Sequence, residues 1–185
     1  MEVKLARRLQ EGDTSAFEPF AELVWAKIFQ FGIRMCRQRE DAEEIAQDTV
    51  LAAYRKIGDL RDPEGVRAWI FRIAKNACLM KRRRSGYEPP IVSLESGADT
   101  TPIDVADEGV PADEQLLMNE QMDALQTALA ELPETFREVF LLRLVEGLST
   151  EETAYALSLS EDLVKQRLRR ARVAIQASLN RHSTD

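Results

Sequence analysis

The chain has 185 residues, 44% of them hydrophobic, enough to bury the core of one ordinary domain or two small ones. With two cysteines, one histidine, no run of roughly 20 apolar residues and no basic-then-apolar N-terminus, it offers no zinc site, membrane span or secretory signal. The expectation is a soluble cytoplasmic protein with reduced thiols, and with no metal or cofactor of its own. The formal net charge of −7 is unevenly spread. Residues 1–86 carry 17 basic and 13 acidic side chains, residues 87–114 carry 8 acids and no base, and residues 115–185 carry 8 bases and 11 acids.

In chain order, "VKLARRLQEGD" reads as a short helix and "AFEPFAELVWAKIFQFGIRMC" as a longer apolar one. The stretch "EDAEEIAQDTVLAAYRKIGDL" places Ala42, Ala46, Val50, Ala53 and Ile57 on one buried stripe. Its opposite face carries Glu44, Gln47, Asp48, Leu51 and Arg55. After Gly58 and an Asp62-Pro63 turn, "GVRAWIFRIAKNACLMKRRR" predicts a helix that buries Val66, Ile70, Ile73 and Ala77. Trp69, Arg72 and Asn76 share a face of that helix, flanked by Arg67 and Lys75, and the helix ends in Lys81, Arg82, Arg83 and Arg84. Aromatic, amide and basic groups together suit unstacked bases and a single-strand backbone. Trp69 reads equally well as a residue at the margin of the core. This first module has three or four helices.

Residues 87–114, "YEPPIVSLESGADTTPIDVADEGVPADE", hold four prolines and no basic residue. The segment reads as an acidic, flexible linker extended by proline and charge self-repulsion.

The second module opens with Met118, Met122, Leu125, Leu129 and Leu132 at helical spacing, ended by Pro133. A second helix follows through "ETFREVFLLRLVEG" and stops at Gly147. Ser149 with Glu152 forms a capping box for a third helix to about Leu157, and Ser160 before Glu161 and Asp162 caps a fourth, over 162–175. In that fourth helix Val164, Leu168, Ala171 and Ile175 face the core. Lys165, Gln166, Arg169, Arg170 and Arg172 therefore point outward. Five bases stand between Lys165 and Arg172, and no acid follows Asp162 until Asp185, so the run is unneutralised by its own neighbours. A helix that needs only solubility mixes signs at i, i+4. A short helix, a tight turn and a basic second helix form the arrangement that enters a DNA major groove.

The motifs "REDAEEIAQDTVLAAYRKI", "VRAWIFRIAKNACLMKRRR" and "LPETFREVFLLRLVEGLSTEETAYALSLSEDLVKQRLRRAR" together resemble the extracytoplasmic function (ECF) sigma factors, bacterial proteins that keep only sigma regions 2 and 4. The resemblance covers nearly the whole chain. It implies an all-α fold of two small helical domains: region 2 over 1–86, a linker over 87–114, and region 4 with its helix-turn-helix over 115–185. It also implies binding to bacterial core RNA polymerase through Glu44, Gln47, Asp48 and Leu51. The melted −10 strand would meet Arg61, Trp69, Arg72, Lys75 and Asn76, and the duplex −35 element would meet Lys165, Gln166, Arg169, Arg170 and Arg172. Most such proteins are held inactive by an anti-sigma factor, although no residue here identifies one.

Three positions depart from the family pattern. Leu60 in "LRDPEG" stands where an aromatic is frequent, Ser158 where glycine is common in the turn, and Asp162-Leu163 where Gly-Thr is frequent. A conventional helix-turn-helix operator-binding regulator is the rival reading, but residues 1–86 show no phosphoacceptor-type strand pattern to support it. An enzyme would need a nucleophile, a metal site or an acid/base pair, and these residues give it little.

Overall fold

The computed structural model describes residues 1–36, 38–85 and 124–182. The expected linker, Met118, Met122 and the side chains of Arg82, Arg83 and Arg84 lie outside the described residues. Every regular element among the described residues is helical, in line with an all-α fold.

The first module has four α-helices: α1 (Glu2–Gln10), α2 (Phe17–Cys36), α3 (Arg39–Lys56) and α4 (Val66–Ser85). A 3₁₀ turn at Thr14–Ala16 joins α1 to α2, capped where Asp13 accepts the Ser15 backbone N–H at 3.0 Å. Two more short 3₁₀ turns, Ile57–Asp59 and Pro63–Gly65, carry the chain from α3 to α4. The second turn starts with Asp62 accepting the Glu64 N–H and with Pro63 in its first position.

Phe20, Val24, Ile28, Phe31 and Met35 form the buried stripe of α2. Each buried side chain of this size contributes about 1.5–3 kcal/mol by leaving water. Phe31 meets Phe71 of α4 edge-on at 5.3 Å. The helices α2 and α3 approach closely because Gly32 faces Ala42: a Cβ added at Gly32 would lie 3.0 Å from the Ala42 Cα. The α3 stripe contains Ala42, Ala46 and Ala53 as expected, with Val50 and Ile57 half-buried. It also takes in Ile45 and Thr49, whose hydroxyl donates to the Ile45 carbonyl at 2.7 Å. On α4, Val66 and Ile70 are buried and Ile73 and Ala77 half-buried, and Phe71, Ala74 and Cys78 complete the inner face.

The second module contains α5 (124–131), α6 (Glu134–Phe140), α7 (Thr150–Leu157) and α8 (Glu161–His182). The α6 helix does not run on regularly to Gly147. It widens into a π-helical turn at Leu141–Val145. Six consecutive buried residues, Arg137 to Leu142, occupy more of the helix circumference than one 3.6-residue stripe provides. Gly147, at φ +68°, then ends the helix.

Arg137 of α6 is only 7% exposed. It donates to the carbonyls of Leu129 (2.8 Å), Ala130 (3.0 Å) and Leu132 (2.7 Å). These are carbonyls at the C-terminal end of α5 and its exit, where helical hydrogen bonding runs out; the Leu129 oxygen also accepts the Leu132 backbone N–H at 3.3 Å. Its Nη1 also donates to the Met35 carbonyl at the end of α2, 3.0 Å away. One guanidinium fork thus caps α5 and ties the second module to the first.

Candidate nucleic-acid interface

The helix-turn-helix is built from α7 and α8. Both halves of the Ser149–Glu152 capping box form: the Ser149 N–H donates to Glu152 Oε2 at 2.6 Å, and the Glu152 N–H to Ser149 Oγ at 3.1 Å. Ser160 accepts the Leu163 N–H at 3.2 Å and starts α8. Between them Ser158 adopts φ 56°, ψ 47°, the left-handed conformation that favours glycine. The Leu159 N–H returns to the Ala154 carbonyl at 2.9 Å and the Ser158 N–H to that of Tyr155 at 3.3 Å, a Schellman ending with serine in glycine's place.

Val164, Ala171 and Ile175 are buried beneath α8 and Leu168 is half-buried, so the helix is seated as its periodicity predicts. It continues well past residue 175 to His182. Its last turns are held where Ser178 Oγ donates to Glu131 at 2.8 Å and Arg181 pairs with the same carboxylate at 2.9 Å. Twenty-two residues give a helix about 33 Å long.

Of the predicted α8 contacts, Lys165, Gln166, Arg169 and Arg172 are exposed, whereas Arg170 is half-buried. The expectation that the basic run is unneutralised is corrected, as Lys165 and Arg167 show. Lys165 lies 3.5 Å from Asp162, and Arg167, 19% exposed, turns inward to Glu138 of α6 at 3.3 Å. The sequence window hid this because Glu138 is 29 residues away. Lys165, Gln166, Arg169 and Arg172 follow one another at i, i+1, i+4 and i+7, so the remaining polar face is a single strip.

On α3, Glu44, Gln47, Asp48 and Leu51 are all exposed, Leu51 by 45%. Glu44 is not an isolated charge, because Lys81 of α4 bridges it and Asp41, the latter at 2.8 Å. Hydrogen bonds that the Lys81 ammonium donates to the Asp41 and Glu44 carboxylates hold it above its ordinary pKa. Glu44 and Asp48 line one wall of a groove of about 260 Å³ between α3 and α4, with Asn76, Met80 and Lys81 opposite. Two surfaces that the sequence presents separately, the α3 face and Asn76, therefore meet along one groove.

The other predicted α4 residues are placed differently. Arg61 is exposed in the turn before α4. Leu60, by contrast, is buried at 7%, with its carbonyl accepting from Gln10. Trp69 is half-buried and packs against the core. Arg72 and Lys75, expected on an open face, meet the second module. The Arg72 guanidinium sits 4.7 Å from the centre of the Tyr155 ring. Lys75 donates to the Leu157 carbonyl at 2.5 Å and lies 4.0 Å from Glu138. Burial, opposed by the Glu138 carboxylate and reinforced by nearby Arg167, pushes the Lys75 ammonium below its ordinary pKa. Arg67 donates to the Glu146 carbonyl. The Glu146 carboxyl is itself raised in pKa by burial, against the pull of Lys27, Arg34 and Arg67. Sequence reasoning had no signal for Glu138, Glu146 or Tyr155, since their partners on α4 lie in the other module.

Comparison with known proteins fits this arrangement. Residues 16–87 match the family Sigma-70 region 2, and residues 122–175 match Sigma-70, region 4. RNA polymerase sigma-H factor of Pseudomonas aeruginosa is 29% identical over 178 residues, spanning 95% of this chain and 92% of that protein. ECF RNA polymerase sigma factor SigM of Mycobacterium tuberculosis is 30% identical over 164 residues, 89% and 77% of the two chains. Among solved structures, the sigma factor RpoE in complex with the anti-sigma factor NepR from Bartonella quintana has a TM-score of 0.64 at 25% identity, covering 89% of this chain and 96% of that one. With a region 2 and a region 4 in that order, and relatives matched over three quarters or more of their length, the chain belongs to the ECF sigma factors.

Proposed function

We propose that this chain joins bacterial core RNA polymerase and directs it to a defined set of promoters in the cytoplasm, without catalytic chemistry of its own. In this reading Glu44, Gln47, Asp48 and Leu51 of α3 dock on the polymerase. Arg61, Trp69, Arg72, Lys75 and Asn76 engage the melted −10 strand, and Lys165, Gln166, Arg169, Arg170 and Arg172 the −35 duplex. Region 2 spans 1–86 and region 4 spans 115–185, joined by the 87–114 segment.

The observation that carries the proposal is the exposed strip of Lys165, Gln166, Arg169 and Arg172 on the second helix of a capped helix-turn-helix. Three of these residues stand in the first nine positions of α8, the part of a recognition helix that reaches base edges. Arginine and lysine suit guanine or phosphate, and glutamine suits adenine. The energy for strand opening comes from binding. Polymerase presents both modules to the promoter at once, and the tether raises the effective concentration of the second contact after the first. With about four or five phosphate contacts per module, the free protein binds DNA weakly and in a salt-sensitive way. An anti-sigma factor is a further expected partner, as RpoE was solved with one.

Run-off transcription with purified core polymerase on a promoter library tests the proposal. Transcripts that start at defined sites only when the chain is present support it. Specific duplex binding by the chain alone, with no initiation, would replace it with an operator-binding regulator.

A further inference from the structure

The strap between α3 and α4 contains two short turns, each closed by its own backbone. The Leu60 N–H donates to the Ile57 carbonyl at 3.3 Å and the Gly65 N–H to the Asp62 carbonyl at 3.1 Å. Arg61 stands between the turns and takes part in neither bond. What fixes it comes from outside the strap. On the inner side the Leu60 side chain, 7% exposed, is packed into the core. On the polar side Gln10, the last residue of α1, donates from Nε2 to the carbonyls of both Leu60 and Ile57, the latter at 3.4 Å. One carboxamide nitrogen, with two hydrogens, thus serves two oxygens 50 and 47 residues further along the chain. Gln10 is itself on a firm base. Leu5 and Ala6 are buried, the Asp13 N–H returns to the Arg8 carbonyl at 2.9 Å, and the Arg8 side chain pairs with Asp13 at 2.8 Å.

We propose that Gln10 is a positioning residue for −10 recognition: its carboxamide ties the strap to α1 so that Arg61 meets the melted strand in one place. The proposal rests on the assignment of Arg61 to the −10 strand made above. An inward Leu60 offers no face on which a base can stack, so base reading by this strap falls to Arg61, whose side chain is exposed. An arginine on a fixed backbone meets the acceptors of one base edge. On a loose strap it shifts to follow a wrong base and must be ordered anew at each binding event, so preference falls. The Arg7–Glu64 pair at the second turn is more than half exposed on both sides and adds little to the tie. If Gln10 only satisfied two carbonyls, its loss would lower stability and leave base preference as it was.

The test uses the full chain with core polymerase and the variants Gln10→Met, Arg61→Ala and the two combined. Run-off transcription is measured on promoters carrying each base in turn at every −10 position, with −35 variants as the control. Hydrogen exchange of residues 57–65 is followed in the free chain. Arg61→Ala is expected to lower base preference at one position at least about tenfold, the loss of a hydrogen bond from a charged group. Gln10→Met is expected to lower it at the same position at least about threefold, through the freedom returned to about one residue of backbone. It should also speed exchange over 57–65 and leave −35 preference unchanged. The combined variant should match Arg61→Ala, because Gln10 acts through Arg61. Should Gln10→Met lose helicity, Gln10→Ala, which admits water to the carbonyls but leaves no tie to α1, carries the same expectation. Unchanged base preference in the Gln10 variants, whatever their stability or total transcript, would overturn the proposal and leave Arg61 as a reader. Losses that add in the combined variant would overturn it as well. Unchanged preference in Arg61→Ala would remove the Arg61 assignment and the proposal with it.

Discussion

Replacing Arg137 by methionine keeps most of the buried stem and removes the guanidinium, so it isolates the hydrogen bonds from the packing. Four carbonyl oxygens lose a charged donor: those of Leu129, Ala130, Leu132 and Met35. Hydrogen bonds to charged groups contribute about 1.5–3 kcal/mol each, a gross loss of roughly 6–12 kcal/mol. Against this, the native protein bears the cost of burying a guanidinium, several kcal/mol, which the variant does not. Some of the freed carbonyls, at a helix end, also turn to water. The expected net loss is about 3–5 kcal/mol, the range found when one member of a buried charged network is removed. For a domain of this size the urea dependence is about 1 kcal/mol per molar, so region 4 would melt several molar earlier or fail to fold. Urea titration followed by circular dichroism measures this. Arg137→Lys should fall between parent and methionine variant, because a single ammonium cannot reproduce the planar fork. A methionine variant within about 0.5 kcal/mol of the parent would refute the reasoning and mean that water serves these carbonyls equally well.

Ser158→Gly should stabilise region 4 by about 0.5–1 kcal/mol, since it relieves left-handed strain of about 1–2 kcal/mol at some cost in chain entropy; a lowered urea midpoint would contradict this. Burial works against ionisation of Glu2, but hydrogen bonds and charge from Lys27, 2.5 Å away, outweigh it and hold the carboxyl down at about 2. Because the folded value lies below the ordinary 4.5, the pair's contribution is complete above about pH 4.5 and is lost as pH falls towards 2. Glu2→Gln should accordingly be less stable than the parent in melts at pH 6, with the gap closing near pH 2, and a gap independent of pH would remove the pair as its cause. Arg169→Ala should cost about 1–3 kcal/mol of promoter discrimination in transcription from single-base promoter variants if the side chain reads a base edge, and an unchanged preference would reject that role. Asp48→Arg, on the exposed face of α3, should weaken assembly with core polymerase at unchanged helicity, whereas lost helicity would make Asp48 structural.

The parts of the fold that depend on neighbours within a few residues were legible in the sequence. The Ser149–Glu152 box, the Ser160 cap and the stripe of Val164, Ala171 and Ile175 each form as read, because the interactions span one or two helical turns. The α8 helix outlasts its predicted end at residue 175 because what extends it, Glu131 holding Ser178 and Arg181, stands almost fifty residues away. Arg137 illustrates the same limit, since a charge at a helical position looks solvated until the carbonyls that need it are known. On α4 the periodicity places Arg72 and Lys75 on the polar side of the helix, but a polar side can face another domain as readily as it faces water.

That shared face also bears on how substitutions in this chain would be interpreted. Lys75 contacts the Leu157 carbonyl and Glu138 of the second module, so exchanging it for alanine removes the strand contact proposed for it and at the same time loosens the packing of the two modules. A scan of single alanines would record both effects as one number. Pairs of substitutions, one on each side of the contact, separate them.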